Sequence, residues 1–267
     1  MLNKLFLRLL DIMHPWLLQT LGRDRMEYIA SNTTNELTRK IDPFIWTYDC
    51  KAKVIGIRQE TADTKTFVLL PNQKFIAPIA GQHVELSAIG PDKQANRCYT
   101  LSAITPYTVS ITVKLNPEGE VSPWLHEHVK VGRVFNISLP RGKFVHRDQN
   151  KLLFICAGSG ITPAYSMINN LLVRSGEAKG FSIEQIGLFY RTQTPENTIF
   201  SQRLAELESK FQNIKIELSY SRLPADIVTP STKDTPSTID QLISAYPDIK
   251  QQHIYLCGPE LFRNDVI

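Results

Sequence analysis

Apolar and polar positions alternate through the middle of the chain, then group at a different period beyond it. From Tyr48 to about Val145 the pattern is strand-like. Six short runs are rich in β-branched residues: Lys51 to Ile57, Lys65 to Leu70, His83 to Ser87, Arg97 to Ala103, Val109 to Leu115 and Val134 to Leu139. Gly, Pro, Asn and Asp separate them. Six such strands predict a small, closed antiparallel barrel. One helical segment interrupts them, Ser122 to His128, with Ser122 placed as N-cap and Pro123 in the first turn.

At Lys151 the pattern changes. Leu152 to Ala157 is a continuous apolar run, as in a buried parallel strand. A glycine turn follows, then a helix from Pro163 to about Arg174. Strands at Ile186 to Tyr190, Ile214 to Tyr220 and His253 to Cys257 alternate with helices at Ser201 to Lys210 and Thr238 to Ala245. This alternation predicts a parallel sheet covered on both faces. The stretch Pro224 to Pro236, rich in Pro, Thr, Ser and Asp, reads as a loop. The fold class expected is β followed by α/β, with domains at 48–146 and 147–267.

Residues 1–47 form a helical leader and linker. Leu2, Leu5, Phe6, Leu9, Leu10 and Met13 recur at helical spacing, with Lys4, Arg8 and Asp11 between them. The stretch is too short and too charged to span a bilayer and lacks a small-residue cleavage site. It predicts an amphipathic helix that packs on the protein's own surface or docks on a membrane or a membrane-bound partner.

The chain has 267 residues, 42% hydrophobic and 21% charged, enough for a sizeable core in each of two domains. A net charge of +4 without a long basic run gives no sign of nucleic-acid binding. Cys50, Cys98, Cys156 and Cys257 are widely spaced, with no C-x-x-C pair. A zinc or iron–sulfur site within the chain is therefore not expected, and a reducing cytoplasm is.

Three segments carry candidate chemistry. In Phe154 to Pro163 a buried strand runs into Gly158, Ser159 and Gly160 and then a helix, with Thr162 as cap and Pro163 in the first turn. Glycines let a backbone approach a pyrophosphate, and a helix N-terminus offers free N–H groups. The pattern is not G-x-G-x-x-G, and a tight turn with no ligand is the plain alternative. In Arg97-Cys98-Tyr99-Thr100 the arginine and tyrosine share one face of a strand. A guanidinium suits a pyrophosphate and a tyrosine ring suits a planar cofactor, while a surface arginine beside a core tyrosine would look the same. In Tyr255-Leu256-Cys257-Gly258-Pro259 a strand ends at the carboxyl edge, where open α/β sheets bind ligands. There a buried structural cysteine is the alternative.

Taken in order, R-x-Y-[ST], G-[ST]-G-[IVL]-[TA]-P and C-G-P, these segments resemble the ferredoxin–NADP⁺ reductase-like flavoproteins. The closest likeness is to the reductases that serve oxygenases and desaturases, and it runs from Tyr48 to the C-terminus. The resemblance implies FAD and NAD(P)H as cofactors. It puts Arg97 on the FAD pyrophosphate, Tyr99 against the isoalloxazine and Thr100 near flavin N5. Val113 and Lys114 flank the flavin. The segment Gly119, Glu120, Val121 and Ser122 meets the pyrophosphate through amides and a hydroxyl. Gly158, Gly160, Thr162 and Pro163 form the dinucleotide turn. Cys257 and Gly258 stand beside the nicotinamide, where hydride passes to the flavin, so Thr100 and Cys257 are the candidate catalytic pair.

After the third strand, Ser221 and Arg222 resemble the pair that holds the 2′-phosphate of NADPH. Arg191 either assists or faces solvent, and Asp226 keeps NADH open. Cofactors of this kind do the chemistry themselves, so His83, His126, His128 and His146 read as packing, cap or surface residues.

The partner implied is a ferredoxin-type iron–sulfur protein or domain, whose cluster this chain does not encode. It would serve an oxygenase or a membrane-bound fatty-acyl desaturase. The expected location is cytoplasmic, with peripheral contact at the inner face of the membrane through the leader. Family members usually run beyond the position of Ile267, so the second domain is expected to be incomplete at its C-terminus. Two other readings stay open: a stand-alone flavin or haem-protein reductase, and a non-catalytic FAD-binding regulatory subunit.

Overall fold

The strand-forming runs close into a barrel in the order β1-β2-β5-β4-β3-β6, every neighbour antiparallel. The strands are β1 (Lys51–Thr61), β2 (Thr64–Pro71), β3 (His83–Ile89), β4 (Gln94–Ile104), β5 (Val109–Lys114) and β6 (Val134–Ile137). This computed structural model describes Phe44 and residues 49–89, 94–177, 183–222 and 237–267. The helix expected at Leu2 to Met13 and the loop expected at Pro224 to Pro236 lie outside the described residues.

Alternation sends Val54, Phe67, Leu69, Val84, Leu86, Leu101 and Ile111 into the barrel, where none is more than 1% exposed. Closure leaves the barrel no unpaired edge. β1 runs further than its apolar pattern suggests because its polar end is paired. Arg58 Nε donates to Glu60 Oε1 at 3.0 Å, and Thr66 Oγ1 on the neighbouring strand donates to the same oxygen at 2.7 Å.

Helix α1 (Val121–His128) lays Val121 and Leu125 into the barrel core. Its N-cap is Glu120, with no side-chain cap bond, so Ser122 is not the cap that the sequence suggests. The Ser122 hydroxyl instead accepts from Asn116 N–H at 3.0 Å, tying the preceding loop back onto the helix.

In the second half a four-stranded parallel sheet is ordered β10-β7-β8-β9, from β7 (Lys151–Ala157), β8 (Gln185–Thr192), β9 (Ile214–Tyr220) and β10 (His253–Cys257). Helices α2 (Ile161–Glu177) and α3 (Ser201–Lys210) cover one face, and α4 (Thr238–Ala245) and α5 (Glu260–Val266) the other. β7 has no polar alternation because both its faces are buried. Leu152, Phe154 and Cys156 join the core under α2 and α3, while Leu153, Ile155 and Ala157 join the one under α4 and α5. Burying each leucine or phenylalanine there is worth roughly 1.5–3 kcal/mol. A capping box starts α4, with Ser237 Oγ accepting from Asp240 N–H.

The two halves share side chains. Ala80, from the loop between β2 and β3, lies in the core under α2. The next amide, Gly81 N–H, donates to Ser166 Oγ of α2 at 3.4 Å. Phe144 meets Tyr255 of β10 edge-on at 5.4 Å, and the Tyr255 hydroxyl donates to the Val145 carbonyl at 3.2 Å. Arg203 of α3 stands 3.7 Å from Glu60 of β1. These contacts fix α2 and the carboxyl edge of the sheet against β4 and β5.

Candidate active site

The junction leaves a crevice of about 430 Å³. Cys98, Tyr99 and Thr100 of β4 and Thr112, Val113 and Lys114 of β5 line one side. Ser159, Gly160, Thr162 and Pro163, with Cys257, Gly258 and Pro259, line the other. The three sequence segments, distant along the chain, thus meet in one place.

On the barrel side, Arg97 and Tyr99 project from the same side of β4, which pairs with β3 in unbroken register from Gln94 to Thr100. The Tyr99 ring is half-buried against the barrel core, and the Arg97 guanidinium is exposed. Burial pushes the Tyr99 phenol up to about 12, only partly offset by the Arg97 charge. The ring is therefore a neutral, flat wall at any working pH. Lys114 is held by an ion pair to Asp63 at 3.3 Å, and the Thr61 and Thr64 hydroxyls bond the same carboxylate. Although partial burial of Asp63 works the other way, these bonds bring its pKa below the ordinary carboxylate value. Deeper in, the Thr112 hydroxyl lies 2.8 Å from those of Thr66 and Ser102, so its buried oxygen is satisfied.

On the sheet side, β7 ends in a single 3₁₀ turn, Gly158–Gly160, and α2 starts at Ile161. Thr162 therefore sits inside the helix. Its hydroxyl donates to the Ser159 carbonyl at 3.0 Å, which corrects the expected cap. Gly158 has φ +54°, a left-handed conformation, and a Cβ there would meet nothing within 4 Å. Gly160 is the opposite case: a Cβ there would lie 2.4 Å from the Cys257 carbonyl oxygen. Only glycine lets this turn approach the end of β10 so closely.

Cys257 is Cα-paired with Cys156 across β10 and β7, a closeness the sequence hides. Burial raises both thiols, that of Cys257 against the opposing charge of Arg263. Both are neutral at ordinary pH, and Cys257 is a small, polarisable lining group.

Several expected site residues lie away from the crevice lining. Gly119 and Ser122 sit at the head of α1, and Val121 turns its side chain into the core, so only its backbone is free to serve a ligand. Ser221 and Arg222 are exposed at the carboxyl end of β9, their amides bonded to the Thr192 and Gln193 carbonyls. Arg191 is partly buried near the carboxyl end of β8. Its Nη1 donates to Ser219 Oγ at 3.0 Å, which in turn donates to Gln241 at 2.7 Å.

Thr112 lines the crevice without belonging to the three segments, and Cys98, Ser159 and Pro259 line it as members of those segments to which the sequence gives no role. Their adjacency to the marked residues was the available signal. His126 Nε2 lies 2.9 Å from the Val113 carbonyl and His146 Nε2 2.7 Å from that of Gln149, both structural contacts. Among the described residues no group of three His, Cys, Asp or Glu is placed to hold a metal ion.

The donor set suits two planar, phosphorylated cofactors. On the barrel side are a flat aromatic wall, a hydroxyl and an exposed guanidinium. On the sheet side are a left-handed glycine facing open space and a close turn at a helix start.

Two family models match successive parts of this chain, the oxidoreductase FAD-binding domain over residues 51–146 and the oxidoreductase NAD-binding domain over 154–267. The chain belongs to the flavoprotein reductases built from this domain pair, of the ferredoxin–NADP⁺ reductase type, whose two domains bind FAD and a nicotinamide dinucleotide. Among individual proteins it is similar to an NADPH oxidoreductase of Mycobacterium tuberculosis, 26% identical over 220 residues, 79% of this chain and 54% of that one. It is also similar to the glycine betaine monooxygenase reductase subunit of Pseudomonas aeruginosa, 27% identical over 80% of this chain and 58% of the relative. The chain thus spans little more than half the length of these relatives. In fold it matches phthalate dioxygenase reductase with a TM-score of 0.60 at 22% identity, over 81% of this chain and 62% of that one.

Proposed function

We propose that this chain is an FAD-dependent reductase that draws on NADPH and hands electrons to a ferredoxin-type iron–sulfur partner serving an oxygenase or fatty-acyl desaturase. The observation that carries this reading is the shared crevice. Tyr99 and Thr100 of the barrel face Gly160, Cys257 and Gly258 of the sheet across one gap. A bound flavin supplies a centre that accepts a hydride and releases electrons one at a time.

The chain's own residues bind, orient and exclude water. Arg97 and the Gly119–Ser122 segment at the head of α1 would hold the FAD pyrophosphate; within that segment the Gly119 N–H is already given to the Asn116 carbonyl at 3.0 Å, which leaves the Val121 amide and the Ser122 hydroxyl to the ligand. Tyr99 stacks on the flavin, Val113 and Lys114 flank it, and the Thr100 hydroxyl bonds beside its reacting edge. Gly158, Gly160, Thr162 and Pro163 seat the dinucleotide. Cys257 and Gly258 would stand beside the nicotinamide. Ser221 and Arg222 would hold the 2′-phosphate, with Arg191, one of whose nitrogens is given to Ser219, in a position to assist. A guanidinium beside a hydroxyl suits a phosphate dianion.

We divide the chain into a leader at 1–47, a flavin domain at 48–146 and a dinucleotide domain at 147–267. No helix among the described residues is long and apolar enough to cross a membrane. Four free thiols support a reducing cytoplasmic setting, and the leader would provide peripheral contact at the inner face of the membrane.

The test is direct. Purified protein should carry yellow FAD that NADPH bleaches anaerobically and that ferredoxin reoxidises. A colourless protein that cannot be reconstituted with FAD defeats the reading. Bound flavin that NADPH leaves oxidised favours the non-catalytic subunit. Reoxidation by free flavin or haem protein but not ferredoxin favours the stand-alone reductase.

A further inference from the structure

Tyr190 lies at the carboxyl end of β8, is fully buried, and takes no part in the crevice lining. Its side chain reaches the turn that follows β7, where its hydroxyl donates to the Gly158 carbonyl at 3.0 Å. The Gly158 carbonyl also receives the Ile161 N–H at the start of α2. One carbonyl is therefore pinned by two donors, in the left-handed residue of the turn.

That pinning has a consequence one bond away. A trans peptide is planar, with its C=O and N–H pointing in opposite directions, and no described peptide bond is cis. Holding the Gly158 carbonyl toward β8 forces the Ser159 N–H to the opposite side. Ser159 is exposed and lines the crevice. Without the tyrosine hydroxyl, only the Ile161 N–H still holds that carbonyl, at a left-handed glycine with open space around it, and the peptide gains freedom to tilt.

We propose that Tyr190 is a positioning residue for the dinucleotide: its hydroxyl fixes the Gly158–Ser159 peptide so that the Ser159 N–H stands ready for the pyrophosphate. This rests on the reading of the Gly158 turn as the NAD(P)H site. The tyrosine touches no substrate. It removes the ordering cost that a freely rotating peptide would otherwise charge to binding.

The test is Tyr190→Phe in the FAD-loaded protein, followed by anaerobic stopped-flow reduction with two donors. One is NADPH; the other is N-benzyl-1,4-dihydronicotinamide, which carries the reacting ring but no pyrophosphate. The dissociation constant for NADPH should rise about 5- to 10-fold, as for one misaligned hydrogen bond, while the limiting rate stays within about twofold. The small donor should react at the wild-type rate. Tyr246→Phe is the control for lost sheet structure, since it deletes another buried hydroxyl, one bonded to Leu188 and Lys215 on the other face of the sheet. It should leave the ratio of the two donors unchanged.

An unaltered NADPH constant in Tyr190→Phe, equal losses with both donors, or the same split in Tyr246→Phe would each overturn the proposal. A wild-type flavin reduced by the small donor and not by NADPH would instead remove the dinucleotide reading beneath it.

Discussion

Replacing Gly160 by alanine tests the closest approach in the site. A Cβ at this position would lie 2.4 Å from the Cys257 carbonyl oxygen, 2.7 Å from its carbonyl carbon and 3.0 Å from Gly258 N. Ordinary contacts of a Cβ begin near 3.4 Å, so the turn and the end of β10 must part by about 1 Å. All three atoms are main chain, and no side-chain rotation relieves them. Overpacking of this kind costs about 1–3 kcal/mol. For a chain of this size that lowers Tm by roughly 3–10 °C.

The displacement falls on Cys257 and Gly258, beside the proposed nicotinamide. A misplacement of about 1 Å is expected to cost roughly 100-fold in reduction by NADPH. Thermal melting followed by circular dichroism, and anaerobic flavin bleaching, measure the two effects. Gly158→Ala is the contrast. Its Cβ meets nothing, so the cost is the left-handed backbone alone, about 1–2 kcal/mol, with β10 undisturbed. A Gly160→Ala protein that melts and reacts like the wild type would show that the turn does not press against β10, and the geometry of the site would have to be redrawn.

Two further outcomes are expected. Arg222→Ala should raise KM for NADPH by about 10- to 100-fold, the equivalent of roughly 1.5–3 kcal/mol for a charged hydrogen bond, and hardly change KM for NADH; equal effects on the two would remove the 2′-phosphate assignment. Asp63→Asn should destabilise the protein in a pH-dependent way. The folded pKa of Asp63 lies below its ordinary value, so its contribution is complete above that value and is lost as pH falls through the folded one. The difference in Tm between variant and wild type should therefore be full near neutrality and shrink in acid, and a difference independent of pH would refute the role of the Asp63 charge.

Much of the architecture was legible in the alternation of residues. The boundaries of α3, α4, β9 and β10 coincide with the apolar periods read from the chain. The closed barrel and the parallel sheet follow from where period two gives way to continuous apolar runs. What escaped depends on partners that are distant in sequence. Ser122 looks like a cap, but the Asn116 backbone competes for its hydroxyl. Thr162 looks like a cap until the 3₁₀ turn shifts the helix start ahead of it. β1 seems to stop at Ile57 because nothing local reveals that Thr66 and Arg203 will engage Glu60. The role of the Tyr190 hydroxyl is invisible in an apolar run, since its acceptor lies in the turn that follows the neighbouring strand. The contact between Arg191 and Ser219 is hidden for the same reason, since Ser219 and Gln241 belong to later elements.

Ala80 gives the pair of domains a mechanical character. A residue from a barrel loop is embedded in the neighbouring domain's interior, and Phe144 and Tyr255 interlock beside it. Hinged jaws would have to extract these side chains at every turnover. The gap between the halves is therefore expected to behave as a standing slot of fixed width, its rim open to whatever ligand enters.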